Sequence, residues 1–356
     1  MAGSPLPVRL VCPQCRLVGP DGRLAVRHLQ LDAGLTGRSL SACTCPHCRT
    51  KYPVIGNVCC VPPDVPAFLE SQADAVTGKW LGSEESQAAD LCRSAAAVDP
   101  ACAGYGEIYL PGTYAAAHFP RSAGGFAWSE LVARNERFAE VVSAWMRDHV
   151  PPGTPGTALE AGCGPGGLLP VLARPFQGGA IGLDLRLSML QLADRVLRRR
   201  HAVVPFRAEG TRFTTLSPVW PGERPARIHL VQGDVQDPPF EAEAFAMAAA
   251  VSLLDSVPDP LLALGQIDAM LAPGGLLLLA MPYQWDAQAV APRMWWSGPW
   301  GDGAEVLHGI LAGRHPALPH VRYAILAEQE NLPWALPANA RLVHQYFLHA
   351  VLARKL

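Results

Sequence analysis

A glycine-rich turn between two short apolar runs constrains the fold of this chain more than any other feature. The apolar run at residues 157–159 leads into Glu160-Ala-Gly-Cys-Gly-Pro-Gly-Gly167, and residues 168–173 have a helical pattern. A second apolar run at residues 180–183 then ends on the acid Asp184. This order is typical of the first β-α-β unit of nucleotide-type α/β folds, where glycines let the backbone turn tightly and approach a ligand. We therefore predict an α/β protein with a ligand site at this turn.

The spacing of the glycines separates this turn from two other nucleotide-binding loops. No Gly-Lys-Ser/Thr sequence follows it, as a Walker loop would require. The positions of Gly162, Gly164 and Gly166 fit the G-x-G-x-x-G dinucleotide fingerprint poorly, although an NAD site remains the main alternative. An acid at the end of the second strand, here Asp184, suits the hydroxyls of a ribose.

Together with its preceding and following acids, the turn resembles the first two motifs of class I S-adenosylmethionine (SAM) methyltransferases. The resemblance rests on E-x-G-x-G-x-G from Glu160 onward and on Asp184 after the second strand. It implies that Glu160 accepts a hydrogen bond from the methionine amino group or an adjoining amide, and that Asp184 binds the ribose. The backbone of Gly162, Cys163 and Gly164 would cradle the methionine part. Nothing in the sequence places a base beside Cys163, so its thiol need not be a nucleophile.

Further apolar runs complete the predicted sheet. They lie at residues 228–231, 244–252, 275–281, 321–328 and 342–353, and helices are predicted at 128–149, 188–200, 258–271 and 304–313. The resemblance implies a Rossmann-like, seven-stranded sheet in the order 3-2-1-4-5-7-6, with its last two strands antiparallel. It also implies that Asp234 pairs with the adenine amino group and that Val235 lies near the ring. Residues 201–226 are predicted to be an irregular insertion.

Four cysteines near the start of the chain predict a zinc ribbon. Cys12 and Cys15 form one C-x2-C loop, and Cys45 and Cys48 form a second. Two such loops close a four-thiolate site that leaves no open position on the metal, so the zinc would be structural. Cys43 could replace Cys45 as a ligand, and four reduced cysteines without metal are the alternative. The following Lys51-Tyr-Pro-Val-Ile-Gly56 resembles the Trm112-type zinc ribbon found beside, or fused to, methyltransferases.

The sequence divides into three predicted parts. Residues 1–63 form the small zinc ribbon, residues 64–156 a helical linker or lid segment, and residues 157–356 the SAM-dependent methyltransferase domain. Within the linker, residues 66–97 have a loosely helical pattern. Residues 103–126, rich in Gly, Tyr and Pro and including His118, predict either a lid over the substrate or an ordered surface loop.

Charge and hydropathy limit the kinds of partner and the compartment that we expect for this chain. Seven Lys/Arg against two Asp give residues 1–56 a charge of +5, which leaves −7 for the rest of a chain whose net charge is −2. A net charge near zero gives no general attraction to nucleic acid. The start of the chain has no signal-peptide pattern, and the longest apolar run, at residues 275–281, is too short to span a bilayer. We therefore expect a cytoplasmic protein with reduced cysteines and no membrane segment.

The predicted acceptor site lies where the fourth and fifth strands end. They deliver Ser252-Leu-Leu-Asp255 and Met281-Pro-Tyr-Gln-Trp-Asp286 to the carboxyl edge of the sheet, where open α/β sheets bind ligands. Asp255 could accept one N–H of an imidazole acceptor, with Asp286 and Asp259 as further candidates. A helix N-cap is the alternative role for Asp255.

Other residues of the last third are further candidates for this site. Tyr283 and Trp285 line the acceptor pocket or are core aromatics. Substrate contacts could also come from three residues expected on the last hairpin, Glu330, Asn331 and Trp334. His344 and His349 are candidate bases, with exposed or packed histidines as the alternative.

A narrower resemblance comes from three segments of the last two hundred residues. L-L-D-S-V-P-D-P, P-Y-Q-W-x5-A-P-x2-W-W-S-G and L-P-W-x-L-x3-A-R are similar to the methyltransferase domain attached to ovothiol-forming enzymes. That family resembles carnosine and protein-histidine N-methyltransferases in turn, where an acid in the L-L-D context contacts the imidazole. The resemblance maps this acid onto Asp255. The chain has Val251-Ser252 where the family commonly has Asp-Asn, and it contains no sulfoxide-synthase portion.

The sequence therefore predicts a SAM-dependent N-methyltransferase acting on an imidazole nitrogen of a histidine-like small molecule or a histidine-containing peptide or protein. Tyr283 and Asp255 are the predicted catalytic residues, and Trp285 and Asp286 join them in binding the acceptor. One alternative is an rRNA or tRNA base methyltransferase anchored by the basic ribbon. The acidic body and the lack of an Asn/Asp-Pro-Pro-Tyr motif argue against it. Another is an inactive SAM-fold partner protein that acts through its ribbon.

Overall fold

The computed structural model describes residues 6–18, 24–25, 28–31, 41–82, 84–102, 105–123, 125–222, 225, 227–297 and 301–356. Five residues that enter the predicted charge of the ribbon, Asp21, Arg23, Arg27, Asp32 and Arg38, lie outside these ranges. The surplus of positive charge at the start of the chain is therefore a property of the sequence, and its placement stays a prediction.

Six short strands come first, six helices follow them, and strands and helices then alternate in part of the remaining chain. The strands are β1 (Leu17–Val18), β2 (Leu24–Ala25), β3 (Gln30–Leu31), β4 (Ser41–Thr44), β5 (Lys51–Ile55), β6 (Val58–Cys60), β7 (Ala158–Ala161), β8 (Ala180–Asp184), β9 (Val204–Glu209), β10 (Arg212–Leu216), β11 (Ile228–Gln232), β12 (Phe245–Val251), β13 (Leu271–Met281), β14 (Tyr323–Asn339) and β15 (Leu342–Lys355). The helices are α1 (Val65–Ser71), α2 (Ala73–Val76), α3 (Ala88–Ala96), α4 (Tyr105–His118), α5 (Ser129–Ala133), α6 (Glu136–His149), α7 (Leu169–Ala173), α8 (Leu187–Asp194), α9 (Pro260–Met270) and α10 (Gly303–Leu311). Among the described helices, none has the length and apolar character needed to cross a lipid bilayer.

One sheet runs through the molecule in the order β14-β15-β13-β12-β7-β8-β11-β6-β5-β4-β3. Its first seven members are the predicted strands, and their order confirms the predicted 3-2-1-4-5-7-6 arrangement, with β15 antiparallel to both neighbours. The other four come from the N-terminal segment. β6 pairs in parallel with β11, with Val58 opposite Leu230, so the ribbon's strands extend the central sheet. The predicted domain boundaries at residues 63 and 156 stay predictions.

Helices cover both faces of the sheet. Leu159 of β7 packs in an apolar cluster with Leu264 of α9. Its neighbour Ala158 packs in a second cluster with Phe138 of α6 and Leu169 of α7. Successive strand residues point to opposite faces, so the ends of the buried parallel strands are held rigidly between two helical layers.

Two segments differ from the prediction. Residues 105–118 form the helix α4 rather than a lid or surface loop, and β9 and β10 form a hairpin inside the predicted irregular insertion. Residues of α4 such as Ile108 and Ala115 are almost fully buried. A helix that is buried on several sides lacks the one-sided apolar pattern that marks a helix in sequence.

The last hairpin is also longer than predicted. Glu330, Asn331 and Trp334 lie inside β14 and not in the turn between the last strands. The register of β14 against β15 shifts between Gln329 and Leu332, and Asn331 has a φ of +58°. An irregularity of this kind interrupts the period-two pattern, so the sequence indicated a strand end where the strand continues.

Candidate active site

The glycine-rich turn after β7 has a backbone that other residues adopt only with strain. Gly162, Gly164 and Gly166 have φ values of +67°, +52° and +77°. These left-handed conformations disfavour side chains. A Cβ atom on Gly162 would also lie 2.7 Å from a methyl carbon of Leu253. The turn therefore requires these glycines, as the sequence motif predicted.

Asp184 ties the end of β8 to this turn. One carboxylate oxygen accepts a hydrogen bond from the Gly164 amide at 2.8 Å, and the other accepts from the Arg186 amide at 2.8 Å. Burial raises the pKa of Asp184, while these two bonds oppose the shift. A carboxylate has about four acceptor positions, so it can still receive ribose hydroxyls. The structure thus places Asp184 beside the turn, as predicted.

Glu160 lies at the end of β7 with 2% of its surface exposed. Its Oε2 atom has no hydrogen-bond partner within the described residues. Burial, followed by the negative charge of Asp184, raises the pKa of Glu160 well above its usual value. Glu160 borders a cavity of about 410 Å³, whose walls include His118, Val251 and Trp334. A buried carboxylate oxygen without a partner beside a cavity is suited to receive a cationic amino group.

His118, at the end of α4, packs directly against the glycine-rich turn at Gly167. A Cβ atom on Gly167 would lie 2.8 Å from its Nδ1 atom. Its ring packs edge-on against Trp334, with the centroids 5.3 Å apart. Burial lowers the pKa of His118 to about 4, so the ring is neutral near pH 7. His118 was not among the predicted site residues, and its only signal was its place in the aromatic-rich segment 103–126.

The predicted adenine residues follow β11. One carboxylate oxygen of Asp234 accepts a hydrogen bond from the Gln236 amide at 2.8 Å. The Gly233 amide donates to the Asp184 carbonyl at 3.1 Å, so the two acids lie on neighbouring strand ends. Val235 is 6% exposed and belongs to the apolar core. The structure therefore brings Asp234 to the same edge as Asp184 and packs Val235 inward.

Cys163 has the environment of a neutral thiol. Its side chain is buried, and its Sγ atom donates to the Gly164 carbonyl at 3.6 Å. Burial raises its pKa, and the charges of Asp184 and Glu160 raise it further. Since the thiolate is the nucleophilic form, this cysteine contributes its backbone to the turn, where its amide donates to Leu183.

The predicted acceptor acid, Asp255, lies in a short turn after β12 and is only 3% exposed. Its Oδ2 atom accepts a hydrogen bond from the Gln284 amide at 3.1 Å. The Asp286 amide donates to the Asp255 carbonyl at 3.0 Å, which ties the ends of β12 and β13 together. Burial raises the pKa of Asp255 despite the bond from Gln284. The helix N-cap that follows is Asp259, which accepts from the Leu262 amide.

The other acid of this edge is used in a turn. Asp286 is exposed, and its side chain accepts a hydrogen bond from the Gln288 amide at 2.9 Å. Asp286 is close enough for its charge to raise the pKa of Asp255. Asp255 is therefore the buried acid of the predicted acceptor site, and Asp286 is its solvent-facing neighbour.

Three of the eight described non-glycine residues with a positive φ lie at the same two strand ends. Ser252, Tyr283 and Trp285 have φ values of +49°, +55° and +51°. Each non-glycine residue in this conformation costs on the order of 1–3 kcal/mol, and such residues cluster at functional sites. The sequence motifs around them gave no indication of this strain.

The two predicted aromatic residues have different surroundings. The hydroxyl of Tyr283 is 2.7 Å from Nδ1 of His349, and burial raises the pKa of the phenol. Trp285 is 5% exposed and packs against Trp296, with ring centroids 5.7 Å apart. The indole N–H of Trp285 has no partner in the described residues. Trp285 is thus a core aromatic, while Tyr283 and His349 form a polar pair at the sheet edge.

The four predicted zinc ligands come together in the ribbon. Cys12 and Cys48 have their sulfur atoms 3.6 Å apart, and those of Cys15 and Cys45 are 3.7 Å apart. All four sulfur atoms lie within 4.8 Å of one another. Around a tetrahedral zinc with Zn–S bonds of about 2.3 Å, sulfur atoms are roughly 3.8 Å apart. The observed spacing fits such an ion, and Cys43 is not part of the group.

The ribbon contacts the loop that follows Asp234. Arg16 forms an ion pair with Asp237 and donates to the Pro238 carbonyl. The Val11 amide donates to the Pro239 carbonyl at 3.0 Å. The ribbon therefore supports the loop that carries the predicted adenine-binding acid.

Comparison with known proteins agrees with this architecture. Residues 133–328 match the sequence model of a family described as a methyltransferase domain. No curated protein matches the chain. Among solved structures, the YcgJ protein of Bacillus subtilis is 14% identical with a TM-score of 0.37, over 61% of this chain and 98% of that one.

Two other solved structures show similar levels of likeness. A complex of the Haloferax volcanii Trm112 methyltransferase activator with a methyltransferase gives 17% identity and a TM-score of 0.36, over 60% of this chain and 78% of that chain. The geranyl diphosphate C-methyltransferase of Streptomyces coelicolor gives 14% identity and a TM-score of 0.39, over 74% and 86%.

Proposed function

The chain belongs to the methyltransferase-domain family, and from this premise we propose that it methylates an imidazole nitrogen, with SAM as the methyl donor. The acceptor is a histidine-like small molecule or a histidine-containing peptide or protein. The observation that carries this proposal is Asp255, a buried carboxylate in the turn after β12 that accepts a hydrogen bond from the amide of Gln284, the residue after Tyr283.

Three acids on successive strand ends support the binding of SAM. The unpartnered oxygen of Glu160 suits the methionine ammonium group. Asp184 keeps acceptor positions for the ribose, and Asp234 lies on the next strand end for the adenine amino group. Because its glycines have no side chains, the turn lets the methionine part of SAM approach the backbone closely.

The acceptor chemistry follows from the position of Asp255. SAM supplies the methyl group on a sulfonium sulfur, so the new N–C bond forms as the S–C bond breaks and its electron pair stays on sulfur. Asp255 accepts the N–H of the other imidazole nitrogen, which orients the ring and leaves the attacking lone pair free. Because burial raises the pKa of Asp255, this carboxylate is also suited to take the proton from the imidazolium product.

The ribbon is proposed to hold a structural zinc ion through Cys12, Cys15, Cys45 and Cys48. Four thiolates occupy all the coordination positions of a tetrahedral zinc ion, so the zinc would take no part in methyl transfer. Arg16, one of the basic residues that could anchor RNA, has 16% of its side chain exposed and is paired with Asp237. No observation in the described ranges favours RNA over the imidazole acceptor.

A labelling experiment tests the proposal. The purified chain is incubated with radiolabelled SAM and histidine, a β-alanyl-histidine dipeptide, a thiol-histidine or a histidine-rich peptide, and an Asp255→Asn variant serves as control. We expect label on an imidazole nitrogen with the native chain and a loss of label with the variant. A parallel incubation supplies a cell extract as the source of acceptors. Label that appears only in nuclease-sensitive material from this extract would contradict the imidazole acceptor. SAM binding without transfer to any acceptor would favour the inactive partner protein.

A further inference from the structure

Three metal-ligating side chains converge outside the predicted SAM site. His308 is on α10, Glu328 on β14 and His349 on β15. The Nε2 atoms of both histidines lie 2.7 Å from the same oxygen, Oε1 of Glu328. One potential ligand atom from each side chain lies within 4.8 Å of the others. Two imidazoles and a carboxylate from three separate elements thus point at one small volume.

A second carboxylate, that of Glu330, borders this volume. Oε1 of Glu330 is 3.6 Å from Nε2 of His349. The side chains become more exposed outward, from 2% for His349 through 35% for Glu328 to 57% for Glu330. The cluster therefore has a buried inner end and an outer end that an ion can enter from solvent.

The inner histidine is held by a further contact. Nδ1 of His349 is 2.7 Å from the Tyr283 hydroxyl. In metal sites, the nitrogen that does not bind the metal is usually hydrogen-bonded to an outer group that fixes the tautomer and the ring. In the structure, Nε2 of His349 donates to the Glu328 carboxylate, so Nδ1 of the neutral ring accepts from the Tyr283 hydroxyl. With a metal on Nε2, Nδ1 would carry the proton instead and donate to the Tyr283 oxygen.

The carboxylates of this group have no basic Lys or Arg partner within the described residues. Across the described part of the chain, the ion pairs of Glu328 and Glu330 involve His308 and His349 and no Lys or Arg. Carboxylates that no basic side chain neutralises attract a cation.

We propose that His308, Glu328 and His349 form a binding site for a divalent transition-metal ion, with Glu330 available as a fourth ligand. Metal–nitrogen and metal–oxygen bonds of about 2.0–2.2 Å place neighbouring ligand atoms roughly 3.0–3.4 Å apart. A small outward movement from the present 2.7 Å separations admits the ion. Two imidazoles favour zinc, iron(II) or cobalt over magnesium, which prefers oxygen ligands only.

The site lies at the acceptor edge of the sheet. His349 is paired with Met281, the last residue of β13, and Tyr283 follows two residues later. Three protein ligands leave a coordination position for water or another small ligand. The proposed metal site therefore contacts Tyr283, one of the residues predicted to line the acceptor pocket.

Metal counting tests the proposal independently of any acceptor. The full chain is stripped with a chelator under reducing conditions, reconstituted with Co²⁺ and analysed by mass spectrometry of its metal content. We expect two ions per chain, one of them giving the thiolate-to-cobalt absorption of the ribbon. His308→Ala and Glu328→Gln should each retain one ion and the full thiolate band, which also reports that the chain is folded. The exposed His320→Ala serves as matched control and should retain two ions.

A further variant separates a metal site from a simple hydrogen-bonded network. Tyr283→Phe removes the outer contact to His349 and should weaken the second ion by about tenfold, as typical for such outer groups. A native chain that binds one ion only, with the thiolate band accounting for all of it, would overturn the proposal. So would a second ion that persists unchanged in both His308→Ala and Glu328→Gln.

Discussion

Asp255 combines burial with a hydrogen bond from the neighbouring strand end. Because the Gln284 amide fixes one of its oxygens, the carboxylate keeps its direction when an acceptor enters. Asp286 lies nearby but is exposed and occupied in its own turn. The two acids thus differ in environment while sharing one edge of the sheet, which makes them a matched pair for mutagenesis.

Replacing Asp255 by Asn should lower kcat by about 10²-fold or more, in the range of a lost positioned acid or base. The Kd for SAM should stay within about twofold, because Asp255 is proposed to contact the acceptor and not SAM. Asp286→Asn should change kcat only slightly. Steady-state kinetics and calorimetric SAM titrations of both variants provide the measurement. Equal losses in the two variants would show that general charge, and not the position of Asp255, supports turnover.

Glu160 makes SAM binding dependent on pH. Burial raises its pKa, so the free protein keeps Glu160 protonated to a higher pH than usual. A bound ammonium group favours the charged form, and binding therefore releases a proton. The affinity for SAM should therefore rise with pH above the usual titration range of a carboxyl group and below that of an α-amino group, about 7.7. In Glu160→Gln the affinity should be weaker and should lose this dependence. A flat pH profile in the native chain would contradict the assigned role.

At the scale of elements, the helix α4 shows how the space beside a glycine determines whether an added methyl group lowers the stability of the protein. A Cβ atom on Gly112 would lie 2.2 Å from the Pro205 carbonyl oxygen of β9. Gly106, in the same helix, would meet only the flexible side chain of Leu110, at 3.3 Å. The two glycines therefore share a helix but differ in the space beside them.

Gly112→Ala should lower the free energy of unfolding by roughly 1–3 kcal/mol, the usual cost of overpacking. Gly106→Ala should leave it unchanged or raise it by about 0.5–1 kcal/mol, because alanine favours a helix over glycine. Urea unfolding followed by circular dichroism measures both values. Equal effects at the two positions would mean that α4 does not pack against β9 in solution as closely as the structure places it.

Sequence motifs could predict those elements whose conformation is determined by residues close to them in the chain. The turn from Glu160 to Gly166 and the acid Asp184 could be predicted because glycine conformation and strand ends leave a mark within about twenty-five residues. The helix α4 could not, since its burial on several sides removes a one-sided pattern. The pairing of Tyr283 with His349 also escaped prediction, because the register of β13 against β15 determines it.

At the scale of the whole molecule, the ribbon and the body share one sheet. β6 continues the central sheet beside β11, and Cys12, Cys15 and Cys45 belong to the same apolar cluster as Leu159 of β7. A zinc ribbon of this size would have little core of its own and would depend on its metal for folding. In the structure, the buried ribbon residues belong to an apolar core that also includes residues of the central sheet. Folding of the ribbon and formation of the SAM site should therefore be coupled.

A cysteine variant tests this coupling. Cys48 is an exposed member of the four-sulfur group, so Cys48→Ser removes a zinc ligand with little loss of packing, and the exposed Cys102→Ser is the matched control. Because β6 is part of the central sheet, Cys48→Ser should lower the Tm of the whole chain in one cooperative transition. A loss of ~2 kcal/mol corresponds to a fall of about 3 °C for a chain of 356 residues.

Scanning calorimetry measures this shift, and a SAM titration of the same variant measures the second effect of the coupling. The affinity for SAM should fall as well, since Arg16 then holds the Asp237 loop less firmly beside Asp234. Cys102→Ser should change neither quantity, because it is no part of the sulfur group. A separate, early transition in Cys48→Ser, with the main transition and the SAM affinity unchanged, would mean that the ribbon folds independently. In that case the contact between β6 and β11 would contribute little to the stability of the SAM site.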